Sequence, residues 1–298
     1  MNKNVHNLIL TVLLLFAGIF LFEPVSAGAA SSVKPLQADT DYSIDLNGGG
    51  SESVRYTVTK DENFIGTFHL YVNGREVYSR KLSSNEASSV SGVTLADVKK
   101  SDKYKELFIN VRGDYSDWWV FAVRYCSPSK VAAYTGSSGV RELAGRNRNN
   151  TDYMKAGGNG RFYLNVETPY YSRTFGSYYI LAPAKLSGGR IVYSKSSVYR
   201  IAGLKDYVKN YFGSDYYILS SSMKLYKGYS GRKVKGICAS GTRFKPLYIH
   251  VASTVYGNYG TRRSNLYVKV KTSSGKTGWL YFPGDSSVRY LTRVPAWG

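Results

Sequence analysis

The chain has 298 residues, with 40 Lys and Arg against 20 Asp and Glu, 28 Tyr, 30 Gly, 3 His and 2 Cys. The few His and Cys show no Cys/His zinc-ligand spacing, and the net charge of +20 directs attention to polyanionic partners. Tyr and Val, which suit half-buried strands, dominate the apolar content, and Gly supplies the turns, so the composition argues for a mainly β protein.

At the N-terminus Lys3 precedes the apolar run "LILTVLLLFAGIFLF" and then "EPVSAGAA", with Val25 and Ala27 at the small positions of a cleavage site. That order predicts a signal peptide over 1–27 and a secreted mature chain. No later segment is apolar enough to span a membrane. Residues 28–38 read as a short linker. Residues 39–135 read as one β unit. "SVRYTVTK" alternates, "FIGTFHLYVNGREVYSRKL" is a hairpin about Asn73-Gly74, and "KELFINVRG" and "DWWVFAVRYC" are two further strands. Residues 136–160 are rich in Gly, Asn and Arg and read as a linker or loop. Residues 161–213 carry three strand candidates and one helix, "GLKDYVKNYFG", whose Leu204, Tyr207, Val208 and Tyr211 fall at helical spacing. From 214 to 298 short strands alternate with turns.

Charge divides the chain. Residues 28–135 hold 13 basic and 13 acidic residues, and residues 136–298 hold 26 basic and 6 acidic. The stretch 216–284 has 12 Lys and Arg and no Asp or Glu. Cys126 and Cys238 are an even pair, which in a secreted protein permits one disulfide between the halves, or two buried thiols.

Within 216–284, "MKLYKGYSGRKVKGICASGTRFKPLYIHV" and "SNLYVKVKTSSGKTGWLYF" resemble the bacterial SH3-like (SH3b) domain, most clearly in the tail from Tyr267 to Trp279. In 39–135, "DLNGGGSESVRYTV" resembles the loop-then-strand opening of an FG-GAP or VCBS-type repeat, and "ADVKKSDKYKELFI" resembles a degenerate second copy. The resemblance implies an N-terminal β domain of propeller-blade-like repeats followed by a C-terminal SH3-like small barrel. It also implies the setting of a secreted protein of a Gram-positive bacterium. In such repeats acidic side chains ligate calcium. Here Asp45, Asn47 and Glu52 are the candidate ligands of the first loop, with Gly49 at a ligand position. The second loop keeps Asp97, Asp102 and Glu106 but places Lys99 among them. Plain turns are the other reading of both.

Catalytic signatures are missing. His69 and His250 lie inside alternating strand runs and read as packed or surface strand residues. Neither cysteine has a Cys-His signature, and no H-E-x-x-H, G-x-S-x-G or P-loop occurs. Asp114 and Asp117 beside Trp118 and Trp119 are the one constellation that suits a sugar site, or else they are a hairpin turn. Trp279 reads as the apolar peg of a small barrel. The binding candidates are the basic and aromatic residues around it: Lys224, Tyr226, Lys227, Tyr229, Arg232, Lys233, Lys235, Arg243, Lys245, Tyr256, Tyr259, Arg262 and Arg263. Arg can hold a phosphate with two bonds, and Tyr faces can stack on rings. The sequence thus points to a non-enzymatic, cell-wall-binding protein without cofactor, docking on an anionic wall polymer or peptidoglycan. A wall-directed glycan hydrolase or lyase is the alternative, and extracellular nucleic acid a further partner class.

Overall fold

A computed structural model describes residues 33–82, 89–112, 118–136, 154–167, 172–176, 178–194, 196–202, 216–256 and 262–293. They form twenty strands and no helix. The first nine are β1 (Lys34–Leu36), β2 (Tyr42–Ile44), β3 (Glu52–Lys60), β4 (Gly66–Val72), β5 (Arg75–Lys81), β6 (Ser89–Ala96), β7 (Glu106–Arg112), β8 (Trp118–Ser127) and β9 (Lys130–Gly136). Next come β10 (Met154–Ala156), β11 (Phe162–Glu167), β12 (Tyr179–Ser187), β13 (Arg190–Tyr193) and β14 (Tyr199–Ala202). The last six are β15 (Tyr217–Ile218), β16 (Met223–Tyr226), β17 (Val234–Cys238), β18 (Arg243–Tyr256), β19 (Arg262–Thr272) and β20 (Thr277–Phe282).

Three four-stranded antiparallel meanders follow one another: β2-β3-β4-β5, β6-β7-β8-β9 and β10-β11-β12-β13. The predicted hairpin is present. Asn73 and Gly74 both take positive φ, 52° and 76°, which matches the twist of the flanking strands β4 and β5. The second meander is covered on both faces. Leu107, Ile109 and Val111 of β7 and Phe121, Val123 and Tyr125 of β8 pack with the first meander, where Phe68 meets Phe121 edge-on at 5.8 Å. Phe108, Val120 and Ala122 face the other way, and Phe108 meets Phe162 of the third meander at 5.0 Å. Burial on both faces is why "KELFINV" and "VFAV" read as almost continuous apolar runs.

The first strand of each meander leads into a Gly- or Asp-rich loop before the second. In the first two meanders the second strand opens with a buried glutamate that holds the loop. Glu52 Oε2 accepts Leu46 N at 3.0 Å, and Glu106 Oε2 accepts Val98 N at 3.3 Å. The loops also bond to one another: Lys105 N donates to Leu46 O at 3.0 Å, Lys100 N to Gly158 O at 2.9 Å and Gly160 N to Val98 O at 2.9 Å. The third loop, Gly157–Gly160, is a further copy within a stretch that the sequence alone presents as linker.

β1 pairs with β6 and buries Leu36, so 34–36 is a strand of the fold and not linker. A short parallel pair joins β9 to β13, and β14 pairs with β18. One open strand path therefore runs from β1 through the second and third meanders to β18-β19-β20-β16-β17. Among the described residues it closes into neither a propeller nor a barrel, in contrast to the expected architecture, because β18 continues sideways into β14 and the path ends at β17. The C-terminal strands also share their core with the middle of the chain. Phe175 is fully buried against Tyr217, Tyr178 and Phe282, and Thr174 Oγ1 donates to Pro283 O at 2.6 Å.

Residues 1–27, 204–211, Asp114, Asp117 and Tyr259 lie outside the described residues, and with them the predicted signal peptide and helix. No helix among the described residues is long and apolar enough to cross a membrane.

Candidate functional site

The alternation "RRSNLYVKVKT" decides which side chains of β19 face outward. Leu266, Val268 and Val270 are fully buried, so Tyr267, Lys269 and Lys271 project from the opposite face. The pairing register extends that face over its neighbours. Tyr248, Lys269, Trp279 and Tyr226 make one row across β18, β19, β20 and β16. His250, Tyr267 and Tyr281 make the adjacent row on one side, and Lys245, Lys271 and Thr277 the row on the other. No carboxylate occurs between 216 and 284 to interrupt these rows.

The loop 227–233 folds back over this face. Lys227 N donates to Lys233 O at 2.8 Å, closing the loop. Tyr229 lies 4.2 Å from the His250 ring and meets Trp279 edge-on at 5.3 Å. Trp279 is thereby buried, as a packed peg would be, while Tyr229 stays exposed. Gly231 has φ +69°, and a Cβ there would fall on the Tyr267 hydroxyl, so only glycine lets the loop lie this close. Tyr226 packs edge-on to Tyr267 at 6.0 Å, and Tyr267 lies 4.9 Å from Tyr281. Burial, reinforced by the neighbouring phenols, pushes the Tyr267 and Tyr281 hydroxyls above their ordinary pKa. His250 Nδ1 donates to Ser197 O at 2.5 Å. That bond places the neutral ring's proton on Nδ1 and turns Nε2 into an acceptor.

The structure thus gathers Tyr226, Lys227, Tyr229, Arg232 and Lys233 at one face, the last two exposed on the loop. Lys235 is exposed and donates to Thr277 O at 2.8 Å. Other predicted residues lie apart. Lys245 starts in a row of the face by register, but its ammonium group and the Arg243 guanidinium both stand over Tyr216, at 4.7 and 5.2 Å. Arg263 is drawn toward Asp285, 3.8 Å away, which also holds Arg173. Tyr256 and Arg262 pair through their backbones at the far end of the β18–β19 hairpin. Tyr248, His250, Tyr267, Lys269, Lys271 and Tyr281 belong to the face although they were not among the predicted binding residues, and the alternation in "LYVKVK" was signal enough for three of them.

The two cysteines do not pair. Cys126 and Cys238 are both free thiols, because β8 and β17 belong to separate parts of the sheet path. The possible disulfide is therefore not formed. The calcium candidates are occupied in turn-making. Asp45 Oδ1 accepts Asn47 N at 3.3 Å and Gly48 N at 2.6 Å, Asn47 Oδ1 accepts Gly49 N at 2.8 Å, and Glu52 bonds Leu46 N. Among the described residues no three acidic, His or Cys side chains gather as a metal would need.

Two acid constellations bear on catalysis. Glu106 is fully buried, and burial raises its pKa against the pull of Arg124. Arg124 donates to it through both Nε, at 2.8 Å, and Nη2, and Val98 N binds its other oxygen, so it is sequestered. On the open face of the first meander, Thr59 Oγ1 lies 2.9 Å from His69 Nε2, and His69 Nδ1 lies 2.9 Å from Glu76 Oε2. That order of hydroxyl, imidazole and carboxylate is the order of a nucleophile relay. Glu76 is 41% exposed, and its pKa is lowered chiefly by the His69 bond. So exposed a relay lacks the water-excluded setting that gives transition-state electrostatics their strength.

The chain matches no protein-family model, no curated protein and no solved structure.

Proposed function

We propose that this protein is an exported, non-enzymatic binding protein of the cell envelope, docking through its C-terminal face on an anionic wall polymer. The observation that carries the reading is the density of cations on and around the β16–β20 face. Lys224, Lys227, Arg232, Lys233, Lys235 and Lys271 are all exposed, Lys269 is half-buried between them, and 216–284 holds no carboxylate to neutralise them. Such a field concentrates polyanions and speeds encounter with them. In this reading β16–β20 act as an SH3-like module, and the three meanders are blade-like repeats that present it. The recurrent loop and its buried glutamate support the repeat relation. Calcium has no part in the reading.

The test is retention of the purified protein on Gram-positive walls, before and after acid removal of wall teichoic acid. Charge reversal at Arg232, Lys233, Lys269 and Lys271 abolishes retention if the reading holds. Retention that survives the reversal sinks it.

A further inference from the structure

We propose that the outward face of β16 and β18–β20 is a stacking platform for single-stranded nucleic acid. Tyr229, Tyr267 and Tyr281 would lie under bases, Tyr229 from its seat on the His250 ring, with Lys269 and Lys271 beside the phosphates. The rings are contiguous. His250, Tyr267 and Tyr281 make a row that crosses the strands, with centroids 6.4 and 4.9 Å apart, and Tyr229 lies over it 4.2 Å from the His250 ring. The next rows on one side carry Lys269 and then Lys271, both on β19 and so beside the middle of the ring row, where they meet the phosphates of a chain laid across it. This pairing of ring faces with cations is the arrangement that binds single strands without reading their sequence.

The chemistry of the face discriminates among polyanions and sugars. A neutral glycan stacks on the rings but leaves the lysines without an anion. An alditol phosphate satisfies the lysines but leaves the rings without a partner. A duplex keeps its bases stacked inside and offers this flat face only phosphates. A single strand uses both. His250 is also set for it, since the Nδ1 bond to Ser197 O fixes the ring and Nε2 accepts from a base N–H. Tyr229 covers the His250 ring and is itself exposed, so a base at this point stacks on Tyr229. Its loop lies between Gly228 and Gly231. The inference is independent of wall docking, which the lysines alone can support.

The test is fluorescence anisotropy of the full-length chain with a labelled dT oligomer of twelve nucleotides. A duplex of the same length and dextran sulfate serve as comparisons, each over a salt series. The oligomer is expected to bind at least ~10-fold more tightly than either. Tyr267→Ala weakens it by roughly 5- to 150-fold, while Tyr267→Phe, which keeps the ring, does not. Replacing Lys269 and Lys271 by Ala lowers the slope of log K against log salt by roughly 1.4, about 0.7 for each phosphate no longer neutralised. Tyr229→Ala, at an exposed loop position, repeats the stacking test should Tyr267→Ala fail to fold. Equal affinity for oligomer, duplex and dextran sulfate overturns the proposal. So does unchanged oligomer binding by whichever stacking variant is folded. Wall sedimentation of the same variants separates the readings. Loss of oligomer binding with wall retention intact supports the platform alone, and oligomer binding without wall retention defeats only wall docking.

Discussion

Replacing Glu106 by alanine removes the carboxylate on which the second loop and Arg124 are built. Glu106 is 0% exposed, and the Arg124 side chain is 20% exposed. Breaking a buried ion pair from one side costs about 3–5 kcal/mol, because the remaining charge is left without compensation. Arg124 keeps a fifth of its side chain in water and has Asp102 3.8 Å away, so the lower end of that range applies. Val98 N also loses its acceptor, which adds roughly 1 kcal/mol. The expected loss is about 4 kcal/mol, or a fall in Tm of roughly 8–16 °C for a unit of this size. Urea unfolding followed by tyrosine fluorescence measures it. Glu106→Gln, which keeps an acceptor for Val98 N, should lose about half as much. The double variant with Arg124→Ala should be less destabilised than the sum of its parts by at least ~1 kcal/mol. A loss below ~1 kcal/mol for Glu106→Ala, or strict additivity, would refute the view that this pair fixes the loop.

Four other outcomes are expected. Gly231→Ala forces a Cβ onto the Tyr267 hydroxyl at a positive φ and destabilises by about 1–3 kcal/mol in thermal melts; Tyr267→Phe relieves part of that loss if the contact is the cause. Phe175→Ala, which empties the space between Tyr217, Tyr178 and Phe282, costs about 3–5 kcal/mol, and a loss under ~1 kcal/mol means that segment 172–176 is not core. Tyr56 is pushed up to about 12 chiefly by burial, so its contribution is complete below about pH 10 and is lost as pH rises through about 12. That loss amounts to roughly 2–3 kcal/mol, and urea midpoints for Tyr56→Phe should decline less over this window than those of the parent. Finally, p-nitrophenyl ester hydrolysis should be no faster for the parent protein than for Thr59→Ala; hydrolysis abolished by that substitution would make the Thr59–His69–Glu76 relay catalytic.

What the sequence revealed follows from which faces are buried. β3, β4 and β19 each bury one face, so their alternation was plain, and Asn73-Gly74 marked its own hairpin. β7 and β8 bury both faces, and the continuous apolar runs that result carry no sign of what covers them. The stacking of three meanders was therefore invisible, and the Gly157–Gly160 loop passed for linker. The first two loops share an aspartate after the first strand and a glutamate that holds the loop, and the third copy has Gly157 and Phe162 at those positions. The β14–β18 pairing joins segments whose order along the chain gives no hint of contact, which is why an isolated barrel was the natural expectation. At the C-terminal face, the basic loop was legible from composition. The rings beneath it were not, because His250, Tyr267 and Tyr281 come from three strands and only the register brings them into line. Arg243, Lys245 and Arg263 looked equivalent to the loop cations in sequence, yet Tyr216 and Asp285 draw them elsewhere.

The proposed docking of the C-terminal face on polyanion rests on charge. The most direct measurement is sedimentation of the protein with Gram-positive walls, intact and stripped of teichoic acid, from low to high salt. Surface electrostatics screen over about 8 Å at physiological ionic strength, so retention should fall steeply with salt and vanish on stripped walls. Retention that is indifferent both to salt and to stripping would contradict the account and assign the binding to a specific uncharged ligand.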